Sequence, residues 1–181
     1  MERELVERAM HGDEEAFDAL VGRIGDSMHS VARRILRDTN LAQDATQQAL
    51  LDAWRYLPTL RDPDRFEAWS HRLLVNACYA EARRERRHRG NLRLLSRDDF
   101  EPDSTSRIAT QDQLDRGFRR LSVEHRTVVV LVHYLGLTPT EAADRMGTPA
   151  GTARSRLHYA LQQLRSALEA DARPTMARGT A

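Results

Sequence analysis

Apolar residues recur at intervals of three and four along nearly the whole chain, and the residues that interrupt helices are scarce. Only 9 glycines and 6 prolines occur in 181 residues, so helix is the default wherever the periodic pattern continues. Phe17, Leu20, Val21, Ile24, Met28, Val31, Ile35 and Leu36 form one apolar stripe, which predicts a long helix from about Asp13 to Arg37, with Gly22 and Gly25 as points where it can bend. Asn40 reads as the N-cap of a second helix, with Gln43 as its capping-box partner. That helix runs through Leu50, Leu51 and Trp54 to about Leu57, and Pro58 ends it. After a loop from Pro58 to Asp62, the pair Asp62-Pro63 supplies an N-cap and a proline at the first helical position. A helix carrying Phe66, Trp69, Leu73 and Leu74 then continues to about Arg89, its last turns almost purely arginine.

From Gly90 to Ser106 the pattern decays into Gly, Asn, Ser, Asp and Pro, the composition of a flexible linker, and this is the expected domain boundary. A helix from about Ile108 to Leu121 follows, and Ser122 caps another that contains Val128-Val129-Val130-Leu131-Val132. Periodicity alone leaves that β-branched run open between a buried strand and a buried helix; its neighbours favour helix. Thr138-Pro139-Thr140-Glu141 is a capping box, and the helix it starts should stop at Gly147. Pro149 to about Ala170 forms the next. Helix, glycine turn, helix, with Ala143 four residues before Gly147, is the spacing of a helix-turn-helix.

The last helix carries Thr152, Arg154, Ser155, Arg156, His158 and Tyr159 on one side and Leu157, Leu161, Leu164 and Leu168 on the other. In a helix-turn-helix the start of the second helix enters the major groove, where arginine reads guanine with two hydrogen bonds. A plain helical hairpin with a solvated arginine face fits the same residues, and the spacing leaves both readings open.

Charge sharpens the functional question. The formal net charge is only +1, but residues 1–60 hold 11 acids against 7 arginines, residues 61–97 hold 5 against 10, and residues 98–111 hold 4 against 1. An acidic block next to a basic one suggests separate surfaces for separate partners, the basic stretch facing a polyanion. All 28 basic residues are arginine, whose planar fork suits phosphate. The longest uncharged run, Thr127 to Thr140, includes His133 and Pro139 and is too short to span a bilayer. The first residues alternate in charge where a signal peptide would be apolar, so a cytoplasmic location is expected, without membrane insertion. Cys78 is the sole cysteine, which excludes a disulfide framework and a cysteine-rich metal cluster. No nucleophile-base pair, phosphate loop or metal motif is legible, so the chain is not expected to be an enzyme or to take a cofactor, metal or small-molecule substrate.

The residues also carry a family resemblance. The stretch Leu121 to Leu164, LSVEHRTVVVLVHYLGLTPTEAADRMGTPAGTARSRLHYALQQL, resembles region four of bacterial sigma factors of the extracytoplasmic-function type, within the sigma-70 family. LAQDATQQALLDAWRYL resembles the region-two helix that docks on core RNA polymerase, and RFEAWSHRLLVNACYAEARRERR resembles the part of region two that engages the melted minus-ten element. The likeness covers roughly residues 10–168, in family order.

It implies an all-α protein of two small helical domains: a region-two bundle over residues 1–90, a flexible linker over 91–107, a region-four helix-turn-helix over 108–170 and a disordered tail over 171–181. The implied partners are core RNA polymerase and promoter DNA; many members are held inactive by an anti-sigma factor, a further expected partner. Asp44, Gln47, Gln48 and Leu51 share one helix side and are the candidates for polymerase contact, although the family usually has an acid at the place of Gln48. Arg61 and Asp62 match the loop that captures a flipped base. Phe66, Trp69, Arg72, Asn76, Arg83 and Arg84 complete the minus-ten candidates, with packing as the competing role for the two aromatics. Thr152, Arg154, Ser155, Arg156, His158 and Tyr159 are the minus-thirty-five candidates. Ala142, Met146 and Ala153 stand where the family more often has larger or branched apolar residues. Two other readings stay open: a sigma-like decoy that binds an anti-sigma factor without DNA, against which Arg154 and Arg156 argue, and a dimeric helix-turn-helix repressor.

Overall fold

The computed structural model describes residues 2–95 and 109–172, and every regular element among them is helical. The chain begins with a helix the periodicity analysis did not anticipate, α1 (Glu2–Met10). Its buried side chains are Val6 and Ala9, packed with Ala16, Leu20, Leu57, Leu60 and Phe66. Two buried residues are too few to stand out as a stripe in a charged segment. Arg3 fastens α1 through its own Glu7 at 2.9 Å and through Asp64 at 2.7 Å.

Helix α2 (Glu14–Leu36) is capped by Asp13, whose Oδ1 accepts from the Ala16 N–H at 3.0 Å. It passes unbroken through Gly22 and Gly25 and ends at Arg37, in the left-handed conformation with φ 59. Its stripe buries Leu20, Met28, Val31, Ile35 and Leu36 as expected. Helix α3 (Thr39–Tyr56) starts one residue before the expected cap: Asp38, not Asn40, accepts from the Leu41 N–H at 2.9 Å. Aspartate and asparagine cap equally well, so the choice falls to where α2 delivers the chain.

The core face of α3 also differs from its large-residue stripe. Ala42, Ala45, Ala49 and Ala53 are fully buried, while Leu51 is 55% and Trp54 37% exposed. Four alanines at helical spacing let α3 lie close to α2 and α4, its principal neighbours. Replacing Ala49 by leucine should therefore overpack this contact and destabilise the protein by about 1–3 kcal/mol, measured by denaturant unfolding.

After 3-10 turns at Leu57–Thr59 and Pro63–Arg65, the second opened by Asp62 as expected, α4 runs from Phe66 to Leu95. It continues past the expected end at Arg89, because one glycine at 90 weakens a helix by only about 1 kcal/mol and no proline follows until Pro102. Residues 96–108, which include most of the expected linker, and 173–181, most of the expected tail, lie outside the described residues. Cys78, on α4, is fully buried, and burial pushes its thiol up to about 12 from an ordinary 9.0. The unfolded chain therefore ionises first, so the neutral thiol's contribution is whole below pH 9.0 and is lost as pH rises toward about 12. Cys78 should resist alkylation in the native protein and react fully once denatured, and C78A should flatten the alkaline loss of stability.

The second half consists of α5 (Ala109–Arg120), α6 (Val123–Val129), α7 (Pro139–Met146) and α8 (Ala150–Ala172). Ser122 caps α6 by accepting from the His125 N–H at 3.2 Å. The β-branched run is helical, but its C-terminal part, Val130–Tyr134, is a π-helical turn. The Thr138 capping box forms in both directions, at 2.8 and 3.2 Å. Gly147 takes the left-handed turn at φ 62.

The two halves share their interior. Val123 and Val130 sit in a cluster with Met28, Val31, Ile35, Ala49 and Leu74, while Val75 of α4 sits with Leu121, Val128, Leu131, Ala143 and Ala160. Leu135 touches both clusters.

Candidate functional site

Three surfaces carry the expected residues. On the outer side of α3, Asp44, Gln47, Gln48 and Leu51 are all exposed. Gln47 and Leu51 also line a groove of about 650 Å³ between α2 and α3, together with Phe17, Val21, Leu50 and Trp54 and the acids Glu14 and Asp18. Phe17 and Trp54 stack at 4.9 Å between ring centroids. The exposed large residues thus make an apolar groove with acids beside it, suited to a basic, amphipathic helix. Gln48 does not point freely outward; its amide donates to Asp52 at 3.0 Å.

The second surface is the start of α4 with the loop before it. Arg61, Asp62 and Arg72 are exposed, and Trp69 is half-buried. With Leu60, Arg65, Asp144 and Arg145 they line a cleft of about 570 Å³. A tryptophan face among arginines is the equipment for holding an unstacked base and its backbone. Phe66, by contrast, is 3% exposed in the cluster under α1, so its ring serves the core and has no face for a base. Asn76, Arg83 and Arg84 are exposed further along α4. Arg84 is not free: it pairs with Glu81 at 3.0 Å and with Asp44 of the first surface at 3.2 Å. That pair gives the polymerase-facing and DNA-facing candidates a common edge. His71, next to Arg72 in the chain, is buried, and desolvation holds its pKa below the ordinary range, with Glu67 opposing and Arg145 reinforcing the shift. It is therefore a neutral packing residue at pH 7.

Asp144 and Arg145 escaped the sequence reading. Arg65 was legible as one more arginine beside Arg61. Asp144 and Arg145 reach the cleft only because α7 packs on α4, which no local pattern announces.

The third surface is α8. Arg154, Ser155, His158 and Tyr159 are exposed, and Thr152 and Arg156 partly so. The face beneath them buries Ala153, Ala160, Leu164 and Ala167, whereas Leu161, expected on that face, is 41% exposed. Small residues again replace the large ones, and α5 uses the room: a Cβ at Gly117 would lie 3.1 Å from Leu164 Cδ2. Ala142, Met146 and Ala153 are all buried, so the small motif core is closed. The Ser155 hydroxyl donates to the Thr152 carbonyl at 3.0 Å, and His158 meets Tyr159 edge-on at 5.7 Å. An exposed row of donors at the start of a helix held by a glycine turn is the geometry of major-groove reading.

No group of His, Cys, Asp or Glu among the described residues could hold a metal ion, and no described helix is long and apolar enough to cross a membrane.

Comparison with known proteins agrees with this layout. Residues 20–88 match the family model Sigma-70 region 2, and residues 117–166 match Sigma-70, region 4. The chain is 34% identical over 163 residues to the ECF RNA polymerase sigma factor SigM of Mycobacterium tuberculosis (strain H37Rv), covering 89% of this chain and 81% of that protein. It is 29% identical to the RNA polymerase sigma-H factor of Pseudomonas aeruginosa, covering 93% and 94%. Among solved structures, CnrH in complex with the cytosolic domain of CnrY superposes with a TM-score of 0.68 at 27% identity, covering 94% of this chain and 99% of that one.

Proposed function

The chain belongs to the extracytoplasmic-function sigma factors of the sigma-70 family, and from that premise we propose how its residues divide the work. As a sigma factor it binds core RNA polymerase and promoter DNA, directing the polymerase to specific promoters and promoting initiation. The observation that carries the assignment of roles is the order of the two matched regions together with the exposed polar face of α8.

In this reading residues 1–90 are the region-two domain and 108–170 the region-four domain. Asp44, Gln47, Gln48 and Leu51, with the groove beside them, meet a basic helix pair of the polymerase. Arg61, Asp62, Trp69 and Arg72 take a flipped base of the minus-ten strand, and Asn76, Arg83 and Arg84 follow its backbone. Arg154, Ser155 and His158 read the minus-thirty-five element, with Thr152 and Arg156 as phosphate anchors and Tyr159 at the margin. Each DNA contact is weak alone; polymerase holds both at promoter spacing, so they act together through effective concentration. The chain supplies no catalytic residue, works in the cytoplasm beside the polymerase, and takes an anti-sigma factor as its regulator.

The test is to add the purified protein to sigma-free bacterial core polymerase and sequence the transcripts from a random-promoter library. Defined starts sharing two spaced elements are expected. Core binding without initiation would instead indicate a decoy for an anti-sigma factor, a reading the exposed Arg154 disfavours. A stable dimer on a palindrome, by light scattering, would indicate a repressor.

A further inference from the structure

The cleft assigned to the flipped base is backed by a helix that none of the proposed contact residues belongs to. Leu60 and Trp69 line the cleft beside Arg61, Asp62 and Arg72. Leu60 is also a member of the buried cluster of Val6, Ala9, Leu57 and Phe66, and Trp69 packs against the same cluster. Val6 and Ala9 are both buried, so α1 supports the cleft from behind. The match to Sigma-70 region 2 begins at residue 20, after α1 has ended at Met10.

The loop that carries Arg61 and Asp62 takes its shape from this support. Its two 3-10 turns each close on themselves: the Leu60 N–H donates to the Leu57 carbonyl at 3.0 Å, and the Arg65 N–H donates to the Asp62 carbonyl at 3.0 Å. Those bonds do not fix one turn relative to the other, and Arg61 and Asp62 lie at the junction. Helix α1 packs on both turns. Val6 and Ala9 share a buried cluster with Leu57 and Leu60 of the first, and Arg3 pairs with Asp64 of the second at 2.7 Å. Glu7 steadies Arg3 at 2.9 Å. At the other end of α1, Arg8 pairs at 2.7 Å with Asp13, the cap of α2. A helix of nine residues is marginal in isolation, so these contacts hold α1 in register and tie the loop through it to α2.

We infer that α1 is the brace of the minus-ten cleft, with Val6 and Arg3 as positioning residues that set where Arg61 and Asp62 stand toward the captured base. This deepens the sigma-factor reading of the cleft and rests on it. A pocket ordered in advance loses less freedom on capture, so a loosened brace should blunt discrimination at the captured position and spare the rest of the promoter.

The test takes the full chain with core polymerase through a promoter library and reads base preference at each minus-ten and minus-thirty-five position, for the unmodified chain, V6A, R3E, D64R and R3E/D64R. V6A should lower the preference at one minus-ten position about tenfold. R3E and D64R should each lower it about two- to fivefold, the span an exposed ion pair supports. The double variant restores the pair with its charges exchanged and should return the preference to within about twofold of the unmodified chain. Core affinity and minus-thirty-five preference should stay unchanged in all four variants. A merely structural role would lower initiation from every promoter alike and leave discrimination intact. That pattern in V6A and both charge variants, or no recovery in the double variant, would overturn the brace. If the unmodified chain fails to initiate with core, or its starts share no minus-ten element, the sigma-factor reading falls first, and the brace with it.

Discussion

Replacing Arg154 by alanine should lower initiation from the protein's own promoters about 10- to 100-fold and leave its affinity for core polymerase unchanged. Arg154 is exposed near the start of α8, about one turn beyond its first residue, Ala150. Its neighbour Ala153 is fully buried, so the backbone that carries the arginine is anchored by packing and does not depend on the guanidinium. The loss should fall on the chemical step of reading, and the transcripts that survive from a promoter library should show relaxed preference at one position of the minus-thirty-five element. R154K keeps the charge without the two-pronged donor geometry. It should recover binding that is salt-sensitive and sequence-tolerant, but little of the specificity. An equal fall in core affinity would show instead that α8 had been disturbed.

Truncating Leu74 to alanine should destabilise the protein by about 2–5 kcal/mol, a large share of the roughly 5–15 kcal/mol typical of a folded domain. Leu74 has no exposed surface and sits in the cluster formed by Met28, Val31, Ile35 and the α3 alanines. Those alanines hold α3 close to α4 and cannot move in to fill the cavity without breaking their own contacts. Val123 and Val130 share the same cluster, so the loss should also loosen the contact with the second half. Urea unfolding of L74A should show a lower midpoint, and its cysteine should become reactive at lower urea than in the unmodified chain, since Cys78 lies in the same cluster.

Much of this fold was legible before any coordinate. The α2 stripe, the Asp62-Pro63 start, the Thr138 capping box and the Gly147 turn are local features whose physics is complete within a few residues, and each stands where the pattern puts it. The errors have one cause. On α3 and α8 the large apolar residues drew attention, while the buried faces are mostly alanines, because helices that must approach closely select small side chains and leave most of the large ones to rim grooves. Phe66 fell on the wrong side of its own ambiguity for a related reason: periodicity shows that a ring lies on a face, and only the arrival of α1 shows that the face is covered.

By itself the sequence determined an all-helical chain, its caps and turns, the basic character of α4 and the polar reading face of α8, since these depend on interactions between residues close along the chain. Tertiary structure alone decided that Val123 and Val130 complete the core of the first half, that Arg84 bridges to Asp44, and that α7 lines the cleft with Arg72. Those contacts join residues forty or more positions apart. Their free energy depends on which faces the packed helices leave for one another, a quantity that no single segment contains.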